Sequence, residues 1–206
     1  VTGAMTAILK EAIQPNLVQT TESAPAFIHG GPFANIAHGC NSVLATRMAL
    51  ATADYAITEA GFAFDLGGEK FLDLKCRFAG LNPALIVLVA TIRALKMHGG
   101  VPLSEITRPD AAAVERGLCN LAAHIDAAAH FGKPIIVAIN QFGTDAADEI
   151  GVVEAFCRER GIPCSAANVF GAGGEGAVDL AEKVVAASAV PETPYKPLYP
   201  LDWSPE

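Results

Sequence analysis

Residues 132–150, GKPIIVAINQFGTDAADEI, contain a short apolar run followed by a glycine-containing turn. The run Ile135–Asn140 is apolar along almost its whole length, which is typical of a strand that is covered on both faces of a parallel sheet. The turn leads into a segment rich in Ala, Glu and Ile, which favours a helix. This stretch therefore predicts a central strand, a turn and a crossover helix.

The same alternation of short apolar runs and helical patterns extends along the chain. The predicted strands are Leu17–Thr20, Ala26–His29, Tyr55–Glu59, Leu85–Ala90, Ile135–Asn140 and Ser165–Val169. The clearest predicted helices are Asn41–Thr52, Asp110–Phe131, Ala146–Arg160 and Gly174–Ala187. The pattern indicates an α/β fold with a mostly parallel sheet and helices on both faces.

Four of the predicted strands end in glycine-rich or polar turns. Their sequences are TEAGFAFDLGGEKF (58–71), ATIRALKMHGGV (90–101), NQFGTD (140–145) and NVFGAGGEG (168–176). In open parallel sheets, ligands bind outside the carboxyl ends of the strands, where such turns lie side by side. We therefore expect the binding site at this edge.

A further glycine-rich loop, FIHGGPFANIAHGCNS (27–42), precedes a predicted helix with Asn41 or Ser42 as its N-cap. Gly30 and Gly31 allow the backbone to approach a ligand closely, and the helix N-terminus favours an anion. A tight connection that needs glycine only for its geometry explains the pattern equally well. His29 and His38 fit a structural role better than a catalytic one.

The strand-end turns also contain aromatic residues. Phe142 and Phe170 each follow a predicted strand, and on adjacent strands their rings would clamp a flat heterocycle, with the Asn140 amide able to bind its edge. Phe62 and Phe64 would stack on a ligand or plug the space beneath their loop. Both interpretations of Phe62 and Phe64 remain open.

The composition excludes some classes of function. The formal charge of −8 and the absence of a Lys/Arg cluster argue against nucleic-acid binding. Apolar runs are too short to span a membrane, and no leader pattern precedes them, so we expect a cytoplasmic protein. The scattered cysteines suggest buried reduced thiols rather than a metal site, and no metal ligand is predicted.

The sequence contains no GxxxxGK[ST] phosphate-binding loop. Because it begins in a helical pattern without Met and closes on YPLDWSPE, we expect it to be an internal section of a longer protein. The composition of residues 98–110 favours a long crossover connection over a hinge between subdomains. Three regions are predicted, namely residues 1–98, residues 99–190 and a Pro-rich tail at 191–206.

Five segments together resemble formate–tetrahydrofolate ligase, also called formyltetrahydrofolate synthetase. They are residues 5–42, 53–77, 89–102, 131–150 and 171–184, and they follow one another in the family's order. The resemblance implies a P-loop-NTPase-like fold. It also implies a reaction in which ATP phosphorylates formate and N10 of tetrahydrofolate attacks the formyl phosphate, giving 10-formyltetrahydrofolate.

The resemblance further implies ATP with Mg²⁺, activation by a monovalent cation (K⁺ or NH₄⁺), small-molecule substrates and a homotetramer. The family's phosphate-binding loop and catalytic Lys and Arg precede the matched region, so no catalytic residue is assigned here. Residues 1–98 would then belong to the nucleotide and formyl phosphate domain, and residues 99–190 to a folate-side subdomain.

Site residues follow from the same resemblance. Those resembling the formyl phosphate pocket are Gly30, Gly31, Phe33, Ala34, Phe62 and Gly67. Those on the folate and nucleotide side are Asn140, Phe142, Thr144, Asp145 and Phe170, of which Phe142 matches an aromatic residue that packs on the folate ring.

The sequence departs from the family at several of these loops. Phe170 stands where Trp is usual, Phe64 replaces a small residue, Gly143 replaces Pro, and Ala172 stands where Lys is common. These departures affect expected folate affinity more than the fold. A non-catalytic binding or scaffolding protein of the same fold remains the alternative.

Overall fold

A computed structural model describes residues 1–30, 40–191 and 193–204 of the chain. The chain divides into two compact units, Val1–Leu81 and Asn82–Glu206. The division expected at residue 98, between a nucleotide and formyl phosphate domain and a folate-side α/β subdomain, stays a prediction.

Unit 1 begins with helix α1 (Thr2–Ala12) and a hairpin of strands β1 (Asn16–Gln19) and β2 (Pro25–Ile28). The two strands are antiparallel, with Leu17 opposite Phe27. The sequence therefore located both strands, but the prediction of a mostly parallel sheet did not give the direction of this pair. A connection of only five residues allows a hairpin, whereas a parallel pair needs a crossover of a dozen or more.

Helix α2 (Val43–Thr52) begins at Ser42, whose hydroxyl accepts a hydrogen bond from Ala45 N–H at 3.0 Å. Of the two predicted caps, Ser42 is confirmed. Unit 1 also contains two π-helical stretches, Phe64–Gly68 and Phe71–Cys76, followed by α3 (Arg77–Ala79). Gly80 ends α3 in the left-handed conformation, with φ of +65°.

The strand predicted at residues 55–59 is wrong. These residues have no regular secondary structure, and Ile57 is 91% exposed. Alternating β-branched and aromatic residues stabilise a strand only when a neighbouring strand and a packed face are available.

Unit 2 contains a parallel sheet of β3 (Ile86–Ala90), β4 (Ile135–Asn140) and β5 (Cys164–Ala167), in the order β3-β4-β5. Ile136, Val137 and Ile139 of β4 are fully buried. Since consecutive residues of a strand point to opposite faces, both faces of β4 are covered. This confirms the predicted central strand and the α/β fold.

The helices of unit 2 are α4 (Ile92–His98), α5 (Ala111–Ala129), α6 (Ala147–Glu159), α7 (Val169–Ala172) and α8 (Val178–Ser188). Side-chain caps begin α4 and α5, because Thr91 accepts from Ala94 N–H and Asp110 accepts from Ala113 N–H. Helix α5 packs on α4, α6 and the strands β3 and β4, while α8 packs on β4 and β5.

Several assignments in unit 2 differ from the prediction. Residues 92–98 form α4 rather than a turn, because Thr91 caps them and Ile92 and Leu95 are buried. Strand β5 ends at Ala167 instead of Val169, and α8 begins at Val178 instead of Gly174. Glycines disfavour the helical interior, and residues 173–177 form a 3₁₀ turn instead.

Residues 193–196 contact the segments that lead into β3 and β4 of unit 2. Lys196 N–H donates to the Phe131 carbonyl at 3.0 Å, and Tyr195 N–H donates to Asn82 Oδ1 at 3.1 Å. Within the part of the chain that the structure describes, no helix is long and apolar enough to cross a membrane.

Candidate functional site

The carboxyl ends of β3, β4 and β5 form one edge of the unit 2 sheet. The register places Ala90 beside Ile139 and Asn140 beside Ala167, so the turns that follow the three strands begin side by side. Gln141 N–H extends this edge by donating to the Ala167 carbonyl at 3.1 Å. The predicted folate-side residues all lie at this edge.

The turn after β4 brings Phe142, Thr144 and Asp145 together. Phe142 N–H donates to Asp145 Oδ2 at 2.8 Å, and Asp145 N–H donates back to the Phe142 carbonyl at 3.0 Å. This reciprocal pair closes the turn and fixes the backbone that carries the Phe142 ring. A Cβ at Gly143 would meet no atom within 4 Å, so there is open space beside the turn.

Arg93 is a residue of this site that the sequence did not reveal. Its guanidinium carbon lies 4.2 Å from the centroid of the Phe142 ring, and its Nη2 donates to Thr144 Oγ1 at 3.1 Å. A guanidinium at this distance is attracted to the negative face of an aromatic ring. The available signal was the start of a helix at residue 92, directly after a predicted strand.

Two buried polar atoms of this cluster lack hydrogen-bond partners within the described residues. They are Nε of Arg93 and Oδ1 of Asp145. A buried polar group without a partner is destabilising by about 1–3 kcal/mol, and more when it is charged. The cluster is therefore not the arrangement that fold stability alone would favour.

A buried ion pair underlies the same edge. Lys96 Nζ on α4 lies 2.8 Å from Glu149 Oε1 on α6, and both side chains are buried. Glu149 also accepts hydrogen bonds from Asp110 N–H and Ala146 N–H, at 2.8 and 2.9 Å. The pair thus joins the turn after β4 to the beginning of α5.

The environment of Glu149 favours its charged form. Burial by itself raises the pKa of this carboxyl, but hydrogen bonds from Lys96, Ala146 N–H and Asp110 N–H and the charge of Lys96 outweigh it. The net pKa is lowered from its ordinary value. Glu149 is therefore ionised at neutral pH and fully partnered, which suits a structural role.

Phe170 lies on α7, directly after β5, and 92% of its surface is exposed. The short helix is capped by Asn168, whose Oδ1 accepts from Gly171 N–H at 3.1 Å. Gly176 packs so closely on the Asn168 carbonyl that a Cβ there would lie 2.2 Å from its oxygen. The glycine-rich turn therefore closes on its own strand end and presents Phe170 to solvent.

The predicted formyl phosphate residues lie in unit 1. Gly30 has φ of +73°, the left-handed region that favours glycine, whereas Gly31, Phe33 and Ala34 lie outside the described residues, as does His38. His29 is hydrogen-bonded at both ring nitrogens, with Nε2 donating to the Ala12 carbonyl and Nδ1 contacting Ser42 Oγ. These contacts favour the structural interpretation of His29.

Lys75 is a second residue that the sequence did not reveal. It is buried, and its ammonium group donates to the Asn41 carbonyl at 2.7 Å and to Thr46 Oγ1 at 2.8 Å. Unit 1 thereby holds a buried positive charge beside the N-terminus of α2. A lysine within the mostly apolar run FLDLKC was the available signal.

Phe62 and Gly67 face strong backbone constraints. Phe62 has φ of 55°, a strained conformation for a bulky residue, and remains 72% exposed. A Cβ at Gly67 would lie 1.6 Å from the Gly61 carbonyl oxygen, so only glycine fits there. The Phe64 ring, by contrast, packs against Gly68 of its own helical stretch.

The five cysteines all lie among the described residues, and they form no disulfide. Cys40, Cys76 and Cys157 are buried as expected, but Cys119 is exposed and Cys164 is partly exposed. Burial raises the pKa of the Cys40 thiol, with Lys75 opposing the effect only in part. Among the described residues, no group of three or more His, Cys, Asp and Glu side chains could hold a metal ion.

Known proteins match this chain over nearly its whole length. The family model described as formate–tetrahydrofolate ligase matches residues 1–206. A curated formate–tetrahydrofolate ligase from Maricaulis maris (strain MCS10) is 56% identical over 200 residues, which cover 97% of this chain. The match covers 36% of that relative, so the chain spans about a third of the relative's length.

Proposed function

Because this chain belongs to the formate–tetrahydrofolate ligase family, we propose that it supplies folate-binding and formyl phosphate-binding residues to an ATP-dependent ligase. The name of the Maricaulis maris relative gives formate and tetrahydrofolate as the molecules joined. Shared family and 56% identity support the same pair of substrates here.

The proposed reaction has two steps. ATP first phosphorylates formate, giving formyl phosphate and ADP. N10 of tetrahydrofolate then attacks the formyl carbon, the bond from that carbon to the phosphate oxygen breaks, and N10 loses its proton. The products of the second step are 10-formyltetrahydrofolate and phosphate, and catalysis consists mainly of positioning and electrostatic stabilisation.

The ring of Phe142 at the end of β4 is the observation that carries this proposal. It lies at the carboxyl edge of a parallel sheet, where ligands of such folds bind, and its backbone is fixed by the reciprocal bonds with Asp145. An aromatic ring carried by this fixed backbone suits stacking on the flat pterin ring of a folate.

The other folate-side residues have complementary roles in the proposal. Phe170 is exposed at the end of the neighbouring strand and would cover the second face of the folate. The Asn140 amide offers both a donor and an acceptor to a heterocycle edge, and Thr144 and Asp145 hold the turn in place.

Unit 1 would supply the formyl phosphate side. Gly30 allows close backbone approach, Gly67 admits no side chain, and Phe62 would wall the pocket, together with Gly31, Phe33 and Ala34. The buried charge of Lys75 favours an anion in its neighbourhood. Backbone N–H groups would then stabilise the charge on the acyl phosphate.

Magnesium would accompany ATP as part of the substrate. The described residues offer no cluster of acidic side chains for it, so no step is derived through a metal ion. Activation by a monovalent cation, a homotetramer and a cytoplasmic location remain predictions from the family resemblance.

A coupled assay with formate, ATP and tetrahydrofolate tests the proposal. The product of the complete reading frame that encodes these residues should form 10-formyltetrahydrofolate. We expect no turnover by the 206 residues alone, because their sequence contains no GxxxxGK[ST] loop. Folate binding without turnover by the complete protein would instead favour the non-catalytic alternative.

A further inference from the structure

Arg93 and Phe142 meet at the carboxyl edge from two different crossovers. Arg93 is the second residue of α4, which follows β3, and Phe142 is in the turn after β4. Because β3 and β4 are neighbours in the sheet, the arginine reaches sideways from one strand end to the next. Its guanidinium lies 4.2 Å from the ring centroid.

This contact restricts both side chains. The guanidinium covers one face of the ring and is held in place by its hydrogen bond to Thr144 Oγ1 at 3.1 Å. For a flat ligand, the guanidinium leaves at most the opposite face of the half-buried Phe142 ring. Open space at Gly143 borders the same turn, since a Cβ there would meet no atom within 4 Å.

We propose that Arg93 is a positioning residue for the folate ring. It fixes Phe142 in one orientation before folate binds, so binding does not have to order a mobile aromatic side chain. This inference rests on the proposed function, because it takes the ligand that stacks on Phe142 to be tetrahydrofolate. Arg93 acts through Phe142, and the inference assigns it no contact with the reacting atoms.

The unpartnered atoms of the cluster support a role beyond fold stability. Within the described residues, Arg93 Nε is buried without a hydrogen-bond partner, although a guanidinium can donate from all three nitrogens. If Arg93 contributed only to the stability of the fold, an orientation in which water accepts the hydrogen bond of Nε would be more favourable than the observed one. Stacking on Phe142 is what this placement achieves.

The test compares Arg93→Met with a matched control in the complete enzyme. Arg160 also stacks on a phenylalanine, Phe156, at 5.1 Å, and it pairs with Asp126 at 2.8 Å, but it follows α6. Arg160→Met thus removes the same kind of contact from another part of unit 2. We expect Arg93→Met to raise the tetrahydrofolate KM about tenfold. The kcat and the KM values of ATP and formate should stay within about twofold.

Two further variants test whether Arg93 acts through the ring. Arg93→Lys keeps the charge without the planar guanidinium and should give an intermediate KM for tetrahydrofolate. Combining Arg93→Met with Phe142→Leu should raise this KM no further than Phe142→Leu alone, because contacting residues are not additive. Additive effects, or equal rises for all three substrates, would overturn the proposal.

Direct binding of tetrahydrofolate by calorimetry separates this inference from the proposed function. If the complete enzyme binds tetrahydrofolate but forms no product, the proposed ligation fails, and an Arg93→Met Kd raised about tenfold still supports Arg93. If product forms and this Kd is unchanged, the Arg93 inference alone is wrong. If the complete enzyme does not bind tetrahydrofolate, both are wrong.

Discussion

Lys96 and Glu149 form a buried ion pair with 2.8 Å between Nζ and Oε1, and their side chains are 1% and 0% exposed. The pair links three elements, because Lys96 also donates to the Arg108 carbonyl at 3.1 Å and Glu149 accepts from Asp110 N–H. It thereby connects α4, α6 and the N-terminus of α5. These elements lie near the carboxyl edge of the sheet, where the predicted folate-side residues are found. Glu149 also accepts from Ala146 N–H at 2.9 Å, directly after the turn that carries Phe142.

Glu149→Gln should lower the free energy of unfolding at pH 7 by about 3–5 kcal/mol, because the neutral amide leaves Lys96 buried without a counter-charge. Urea denaturation measures this change. Glu105→Gln is the matched control, since Glu105 forms an exposed pair with Arg108 at 3.8 Å and surface pairs contribute about 0–1 kcal/mol. Equal effects of the two substitutions would show that the buried pair is not important for stability.

The same pair predicts a dependence of stability on pH. The pKa of Glu149 is lowered in the folded chain, so its contribution is present above the ordinary value of about 4.3 and is lost as pH falls through the lowered value. The difference in unfolding free energy between the wild type and Glu149→Gln should therefore shrink below about pH 4. A difference that stays constant through this range would contradict the assignment.

Phe142→Ala should raise the tetrahydrofolate KM of the complete enzyme at least about tenfold, because in the proposed site it removes the ring on which the folate would stack. The turn itself should persist, since the Phe142 N–H bond to Asp145 belongs to the backbone. Steady-state kinetics with each substrate varied in turn measures the effect. An unchanged tetrahydrofolate KM would exclude Phe142 from the folate site.

Phe170→Trp should lower the tetrahydrofolate KM a few-fold, because the larger indole offers more stacking surface. Phe170 is 92% exposed, so the larger ring needs no rearrangement of the core, and the thermal midpoint should not change. Leu103→Trp, at a residue that is 74% exposed elsewhere in unit 2, is the control for a general effect of an added indole. An equal fall in the tetrahydrofolate KM of both variants would show that Phe170 has no specific role.

The sheet of unit 2 could be predicted because its strands are short apolar runs, which are typical of strands that are buried in a parallel sheet. Strand Ile135–Asn140 was placed correctly for this reason. Helix α4 was missed because its seven residues are too few for a clear period and two glycines follow it. The strand predicted near Ile57 failed because a single sequence cannot show whether a partner strand is present.

The most informative site contacts could not be predicted because they join distant residues. Arg93 and Thr144 are 51 positions apart, and neither lies in a motif that demands the other. Their contact follows from the order of strands in the sheet, which places the ends of β3 and β4 next to each other. The glycine-rich and aromatic turns, in contrast, could be found from local composition alone.

Gly67→Ala should lower the free energy of unfolding by about 1–3 kcal/mol or more, because its Cβ would lie 1.6 Å from the Gly61 carbonyl oxygen and the backbone has to move. Gly151→Ala is the opposite control, because Gly151 lies inside α6, where an added methyl group would meet no atom within 4 Å. This variant should raise the free energy of unfolding by about 0.5–1 kcal/mol. Denaturant unfolding of both variants checks the pair. A neutral Gly67→Ala would mean that the close approach is not required.

Phe62→Gly should increase stability while weakening the binding of formate. The left-handed φ of 55° is strained for phenylalanine, so glycine should raise the free energy of unfolding by at most about 1 kcal/mol, the relief being partly offset by the entropy of glycine. If the ring walls the formyl phosphate pocket, the formate KM should rise at the same time. Urea denaturation and formate kinetics in the complete enzyme measure the two effects.

Ser23→Gly supplies the matched control for Phe62→Gly. Ser23 also has a left-handed φ, of 63°, but it lies in the hairpin turn between β1 and β2. Its replacement should give a similar gain in stability and leave the formate KM unchanged. An unchanged formate KM in Phe62→Gly would show that the Phe62 ring does not wall the formyl phosphate pocket.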